Sequence, residues 1–300
     1  MLNRYLVLMA LLFISSEVLS QNVESGNTLG FDYRTMPSFG NHQWNAMHFR
    51  ANYIIELGSK TDIALSTMYR SDDFTYFGLS DIDESAFEDL HSVDLQIGWQ
   101  QKLKKNWTLN VSFMPRAASN FSASMSNEDF FFMYGANLTK QWKGQKGEYS
   151  ITMGLEQNTL LGKPRLLPTV SMKFDGYDTW GYTIGFPSSS VNARVGERHL
   201  FLASAVLEGL YFNNSSEGMP MVYDQVYNSS KLAFTGLDIG LSHKYRLQPN
   251  ITTHARVGFS LSNTWQLQDG DTNVLYDFNA DETIYFTMGL TYNLKLFADE

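Results

Sequence analysis

Residues able to do chemistry are few along this chain, and their spacing argues against most reactions. His48 with Ser66, and Ser242 with His254, offer the base and hydroxyl that acyl transfer requires. Neither serine lies in a G-x-S-x-G elbow, and Ser and Thr are ordinary residues of a hydrated interior, so no enzyme activity and no catalytic residue is expected. The six His form no H-x-x-x-H or H-E-x-x-H pair, and no zinc or other metal site is expected. With no Cys, thiolate chemistry, disulfides and a lipid-modified N-terminal cysteine are excluded. Asp269-Gly270-Asp271-Thr272-Asn273 begins like a calcium loop, but Val274 takes the glycine position and Ala280 that of the terminal glutamate. That cluster, and the acidic run Asp72, Asp73, Asp81, Asp83, Glu84, Glu88 and Asp89, read as hydrated loops. No Gly-rich nucleotide loop is present and no cofactor is expected; a formal charge of -9 argues against nucleic acid as a partner.

The other charges share one habit: they fall on alternate positions. His48, Arg50, Asp94, Arg194, Asp238, His254 and Arg256 each stand in a stretch whose odd or even members are apolar. Met47, Phe49, Ala51, Tyr53, Ile55 and Leu57 alternate with polar residues, and so do Val93, Leu95, Ile97 and Trp99. A half-buried strand has this period of two and a helix does not. The pattern recurs to Ile284, Phe286, Met288 and Leu290 in segments of about 9 to 13 residues, long enough to cross a membrane when tilted. Short polar turns near Gly58, Asn106, Lys143, Tyr177, Gly196 and Pro249 alternate with mostly longer connections. A sandwich has no reason to sort its loops by end; a barrel with short periplasmic turns and long external loops does. The fold class expected is therefore all-β, a transmembrane antiparallel up-and-down β-barrel of about 14 strands, with 12 as the fallback.

The first twenty residues support this placement. Asn3 and Arg4 precede an apolar run from Tyr5 to Ile14, which is too short to span a bilayer and reads as a signal peptide, 1–20, cleaved before Gln21. Residues 21–300 then form one barrel domain in the outer membrane, with too little sequence before the first strand for a plug domain. Trp99, Trp107, Trp142, Tyr149, Trp180 and Tyr245 beside the short turns suit a periplasmic aromatic girdle. Thr287, Gly289, Tyr292 and Leu294 resemble the terminal-strand signal read by barrel-assembly machineries.

The whole chain looks like a Gram-negative outer-membrane β-barrel. The segment Gly162-Lys163-Pro164-Arg165-Leu166-Leu167-Pro168, with Ile184-Gly185-Phe186-Pro187-Ser188, resembles a barrel family known only as a domain of unknown function, so no activity is implied. The outer-membrane components of type IX secretion share size and architecture but carry an early Asn-Pro and Ala-Gly signature not found here, and are a distant analogy. The function expected is a passive, porin-like channel for small solutes, with His48, Arg50, Asp94, Arg194, Asp238, His254 and Arg256 facing the lumen. The alternative is a closed-lumen scaffold serving periplasmic or secretion-system proteins. Partners expected are outer-membrane lipid and the assembly machinery. Hairpin counting back from Arg246 sets Asp238 diagonally across from Arg256, as an ion pair, and Ser242 opposite His254.

Overall fold

The computed structural model describes residues 27–78, 82–177, 179–216, 221–222, 225–227 and 229–294; the expected signal peptide and its cleavage point lie outside them. The strands are β1 (Thr28–Met36), β2 (His42–Glu56), β3 (Thr61–Tyr76), β4 (Asp89–Lys102), β5 (Trp107–Ser119), β6 (Phe130–Lys143), β7 (Gly147–Asn158), β8 (Arg165–Gly176) and β9 (Trp180–Phe186). They continue as β10 (Ser188–Val195), β11 (His199–Asn214), β12 (Met221–Val222), β13 (Gln225–Val226), β14 (Ser230–Gln248), β15 (Ile251–Asp269), β16 (Val274–Asp277) and β17 (Thr283–Asn293). All except β12, β13 and β16 build the wall, giving 14 antiparallel strands in which β14 pairs with β15 and β17 returns to β1. The seam sets Thr28 opposite Asn293. The sheet is closed and has no free lateral edge along the seam.

Period-two alternation explains the wall. Phe49, Leu65, Leu95, Val111, Leu155, Leu241 and Met288 stand outward and exposed, whereas Asp32, Arg70, Asp94, Glu156 and Asp238 on the opposite face are buried. An apolar outer band around a polar interior is stable in lipid and unstable in water, and it places the protein in the outer membrane. Six short turns gather at one rim, as their lengths imply. There Trp142 stacks on Tyr149 at 5.7 Å, and Tyr149, Phe174 and Trp180 follow ring to ring at 4.9 and 5.1 Å.

The other rim is closed. Phe39, Ile82, Phe87, Val222 and Phe278 fold in from the long connections and from β12 to pack with wall residues Trp44, Phe74, Phe212, Phe234, Trp265 and Leu267 in one buried apolar core. Trp44 stacks on Phe74 at 5.4 Å and Phe74 on Trp265 at 4.6 Å. Each large side chain so removed from water contributes about 1.5–3 kcal/mol. A second closure comes from the wall itself. Pro187 alone joins β9 to β10, and this hairpin is shorter than its neighbours, so β11 continues past it from Leu207 to Asn214. Asn213 then makes a parallel bridge with Ser119 of β5, and Ser119 Oγ donates to the Asn213 carbonyl at 3.1 Å. Six steps of the sheet separate β5 from β11, so the bridge draws opposite walls together.

The hairpin at the Pro249 turn departs from simple counting. A bulge between Arg246 and Gln248 shifts the register, setting Ser242 opposite Arg256 and Lys244 opposite His254. The expected pairing of Asp238 with Arg256 is thereby corrected: Asp238 lies across from Ser260 and binds a different arginine.

Candidate functional site

Beneath the aromatic core lies a layer of ion pairs. Arg34 on β1 donates to Glu208 of β11 and, at 2.7 Å, to Asp238 of β14. Arg70 on β3 grips Asp72 through two bonds of 2.6 and 2.7 Å, and its third nitrogen lies 3.7 Å from Glu208. The Trp44 indole donates to Asp72 at 2.8 Å, joining this layer to the core above it. Arg116 holds Asp94 with two bonds of 2.7 Å and reaches Thr159 with its remaining nitrogen. Buried charges persist only when paired in this manner. Because Arg34 and Arg70 reach Glu208 from strands that are not its neighbours, the pairs act as struts across the lumen.

Below the struts a cavity of about 760 Å³ extends toward the short-turn rim. His48, Arg50, Arg194, Asp238, His254 and Arg256 line it; Asp94 does not, being held by Arg116. Arg34, Arg198, Lys244 and Arg246 also line it, so seven Arg and Lys face Asp32, Glu197, Glu208 and Asp238. A chain of formal charge -9 thus concentrates an excess of three positive charges at this wall, counting His as neutral. Three of the four acids are already engaged, Asp32 by Arg50 and His254, and Glu208 and Asp238 by Arg34, while Glu197 stands at the short-turn rim. Arg194 reaches only a distant Asp175, at 3.8 Å.

Tyr285 organises the floor. Its ring lies over two positions without side chains, for a Cβ on Gly258 would stand 2.4 Å from Tyr285 Cζ and one on Gly240 3.0 Å from its hydroxyl. The hydroxyl accepts from Arg256 Nε at 2.6 Å, while Arg34 sits over the ring at 4.2 Å. Gly289, one of the terminal-strand residues, faces Asp32 on one neighbour and His254 on the other. A Cβ there would lie 2.3 Å from Asp32 Oδ1 and 2.5 Å from His254 Cε1, so the Asp32 and His254 contact depends on this glycine. Thr287 lies opposite Arg34 and Arg256 and lines the cavity, Tyr292 lies near the seam's end, and Leu294 follows β17 with its N–H on the Asn27 carbonyl.

Sequence reasoning missed Asp32, Arg34 and Tyr285. The signal for the first two was available in β1, where Thr28, Gly30, Asp32 and Arg34 share one face opposite Leu29, Phe31 and Tyr33. Among the described residues no group of three or more His, Asp and Glu could hold a metal ion.

No curated protein matches the chain. Solved structures with a similar course include an outer membrane channel from Pseudomonas putida F1, at 11% identity and a TM-score of 0.42, covering 92% of this chain and 99% of that one. The NanC porin follows at 10% identity, a TM-score of 0.36 and coverage of 90% and 100%, and the KdgM porin at 5%, 0.36, 89% and 98%. Likeness at this level assigns no substrate. The family described as a domain of unknown function, DUF6268, matches residues 41–293, and the chain belongs to it.

Proposed function

We propose that this outer-membrane barrel is closed at rest and works from its periplasmic side as a scaffold or solute-receiving vestibule, not as a constitutively open pore. The observation that carries the reading is the continuous aromatic core at the external rim, reinforced by the bridge from Asn213 to Ser119. Water and ions crossing a membrane need a connected polar path, and a buried apolar core denies them one. Charged residues in the lumen are no evidence of conduction, since Arg34, Arg70, Glu208 and Asp238 are consumed in struts. Planar-bilayer recording tests the reading: the folded barrel should show no stable conductance. Steady ohmic steps from the unaltered protein would defeat it.

The cavity supports a second reading, a gated channel, because a basic vestibule leading to a plug is how an anion pathway would look when shut. If Phe39, Phe87 and Phe278 are the movable part of the plug, replacing all three with Ala should produce conductance, whereas a purely structural core should yield an unfolded or silent barrel. Thr287, Gly289, Tyr292 and Leu294 remain proposed contacts for the assembly machinery. Periplasmic or secretion-system proteins are proposed partners, with type IX secretion unsupported by any likeness found.

A further inference from the structure

We propose that the vestibule is a binding site for the oxyanion group of a small periplasmic solute, a carboxylate or phosphate, held by Arg256 and Lys244 with His254 beside them. This rests on the periplasm-facing reading above and supplies the chemical class of what enters. Of the arginines that face inward, Arg34, Arg70 and Arg116 each hold a carboxylate. Arg256 does not: its Nε donates to Tyr285 and its Nη1 to Ser204 Oγ at 2.8 Å, both neutral hydroxyls. Its Nη2 is buried and has no hydrogen-bond partner among the described residues. A guanidinium fixed by two hydroxyls, with a donor unmet and its charge uncompensated, has the geometry that a planar or tetrahedral oxyanion completes by charge-assisted hydrogen bonds.

Strand register supplies the second cation. Arg256 faces Ser242, and the next inward pair along the same two strands is Lys244 with His254. Among the described residues neither Arg256 nor Lys244 has a carboxylate partner, and both line the cavity. The Asp32 carboxylate, which lines the same cavity, is already shared by Arg50 and His254, and Gly289 keeps it there by leaving room for the contact. The fold thus withdraws Asp32, Glu208 and Asp238 from the two cations. The cavity has volume for a solute well beyond a bare ion.

The test is titration calorimetry on the full refolded barrel in detergent, with inorganic phosphate in one arm and citrate in the other, and folding verified by heat-modifiable gel migration. Saturable binding is expected in at least one arm, and which arm binds tells phosphate from carboxylate chemistry. Arg256→Gln should weaken it by tenfold or more and Lys244→Gln severalfold, while Lys102→Gln, at a lysine paired with Asp62 and outside the cavity lining, should leave it unchanged. Should Arg256→Gln fail to fold, Lys244→Gln decides alone. Absence of saturable binding in both arms, or equal binding by the unaltered protein and the folded variants, overturns the proposal. Bilayer conductance separately reports whether the closed-lumen reading holds, so the two ideas fail by different results.

Discussion

At the level of single residues, the interior is fixed by glycines as much as by charges. Gly258→Ala would drive a methyl group against the Tyr285 ring, and crowding of this kind costs about 1–3 kcal/mol. Gly98→Ala is the matched control, because its Cβ would meet the Ala64 methyl at an ordinary 3.5 Å. Urea unfolding followed by tryptophan fluorescence should separate the two, and equal midpoints would remove Tyr285 from the framework. Asp238→Ala strips one of two carboxylates from buried Arg34, which keeps Glu208, and should cost about 1.5–3 kcal/mol, the contribution of a hydrogen bond between charged groups. Acid sensitivity belongs to the rim of long connections. Burial disfavours the charge on Asp129, but bonds from the Ser126 N–H, Asn213 and Ser119 outweigh it and hold the carboxyl below its ordinary value. A carboxylate depressed in the folded state stabilises it above the unfolded pKa and loses that contribution as pH falls through the folded one. The Asn127–Asp129 turn should therefore loosen at pH values below the usual carboxylate range, measurable as faster amide exchange, and Asp129→Asn should abolish that pH dependence.

The elements were legible from sequence wherever alternation is strict. Met47 to Leu57 and Val93 to Trp99 declare outward faces, and the sorting of short and long connections fixes the two rims, because lipid and hydrogen bonding impose both. What escaped was the plug. Trp44 and Phe74 occupy the same inward parity as Arg50 and Arg70, so the polar face simply turns apolar toward the external end, a gradient that could have been seen. Trp265 and Leu267 could not. The ladder slips between Leu261 and Thr264, with Ser262 at a φ of 51°, and this bulge turns toward the interior residues that simple alternation assigns to lipid. The same kind of irregularity at Arg246 to Gln248 displaced the expected partner of Asp238. For the faces themselves, Val111→Arg should cost about 2–4 kcal/mol near the midplane, and Asn110→Arg, on the lumen side, distinctly less. Refolding yield into lipid vesicles measures both, and similar losses would mean that the lipid face is misassigned.

For the molecule as a whole, the bridge between β5 and β11 offers a direct check of closure. With no native Cys to interfere, Ser119→Cys combined with Asn213→Cys should oxidise to an internal crosslink in the folded barrel without altering its silence in bilayers. A pair that never crosslinks would show that these walls stay apart. The seam carries a different implication. Thr28 to Thr35 run beside Phe286 to Asn293 in the same antiparallel register as any hairpin of the wall, and Leu294 bonds back to Asn27 across the gap. The seam is in effect a hairpin lacking its turn. Joining residues 27 and 294 by a short Gly-rich linker, and opening the chain instead at the exposed Gly196 turn, should yield a circular permutant with the same barrel. Strand order along the gene would then be a matter of history, and the ring of neighbours what the sequence encodes.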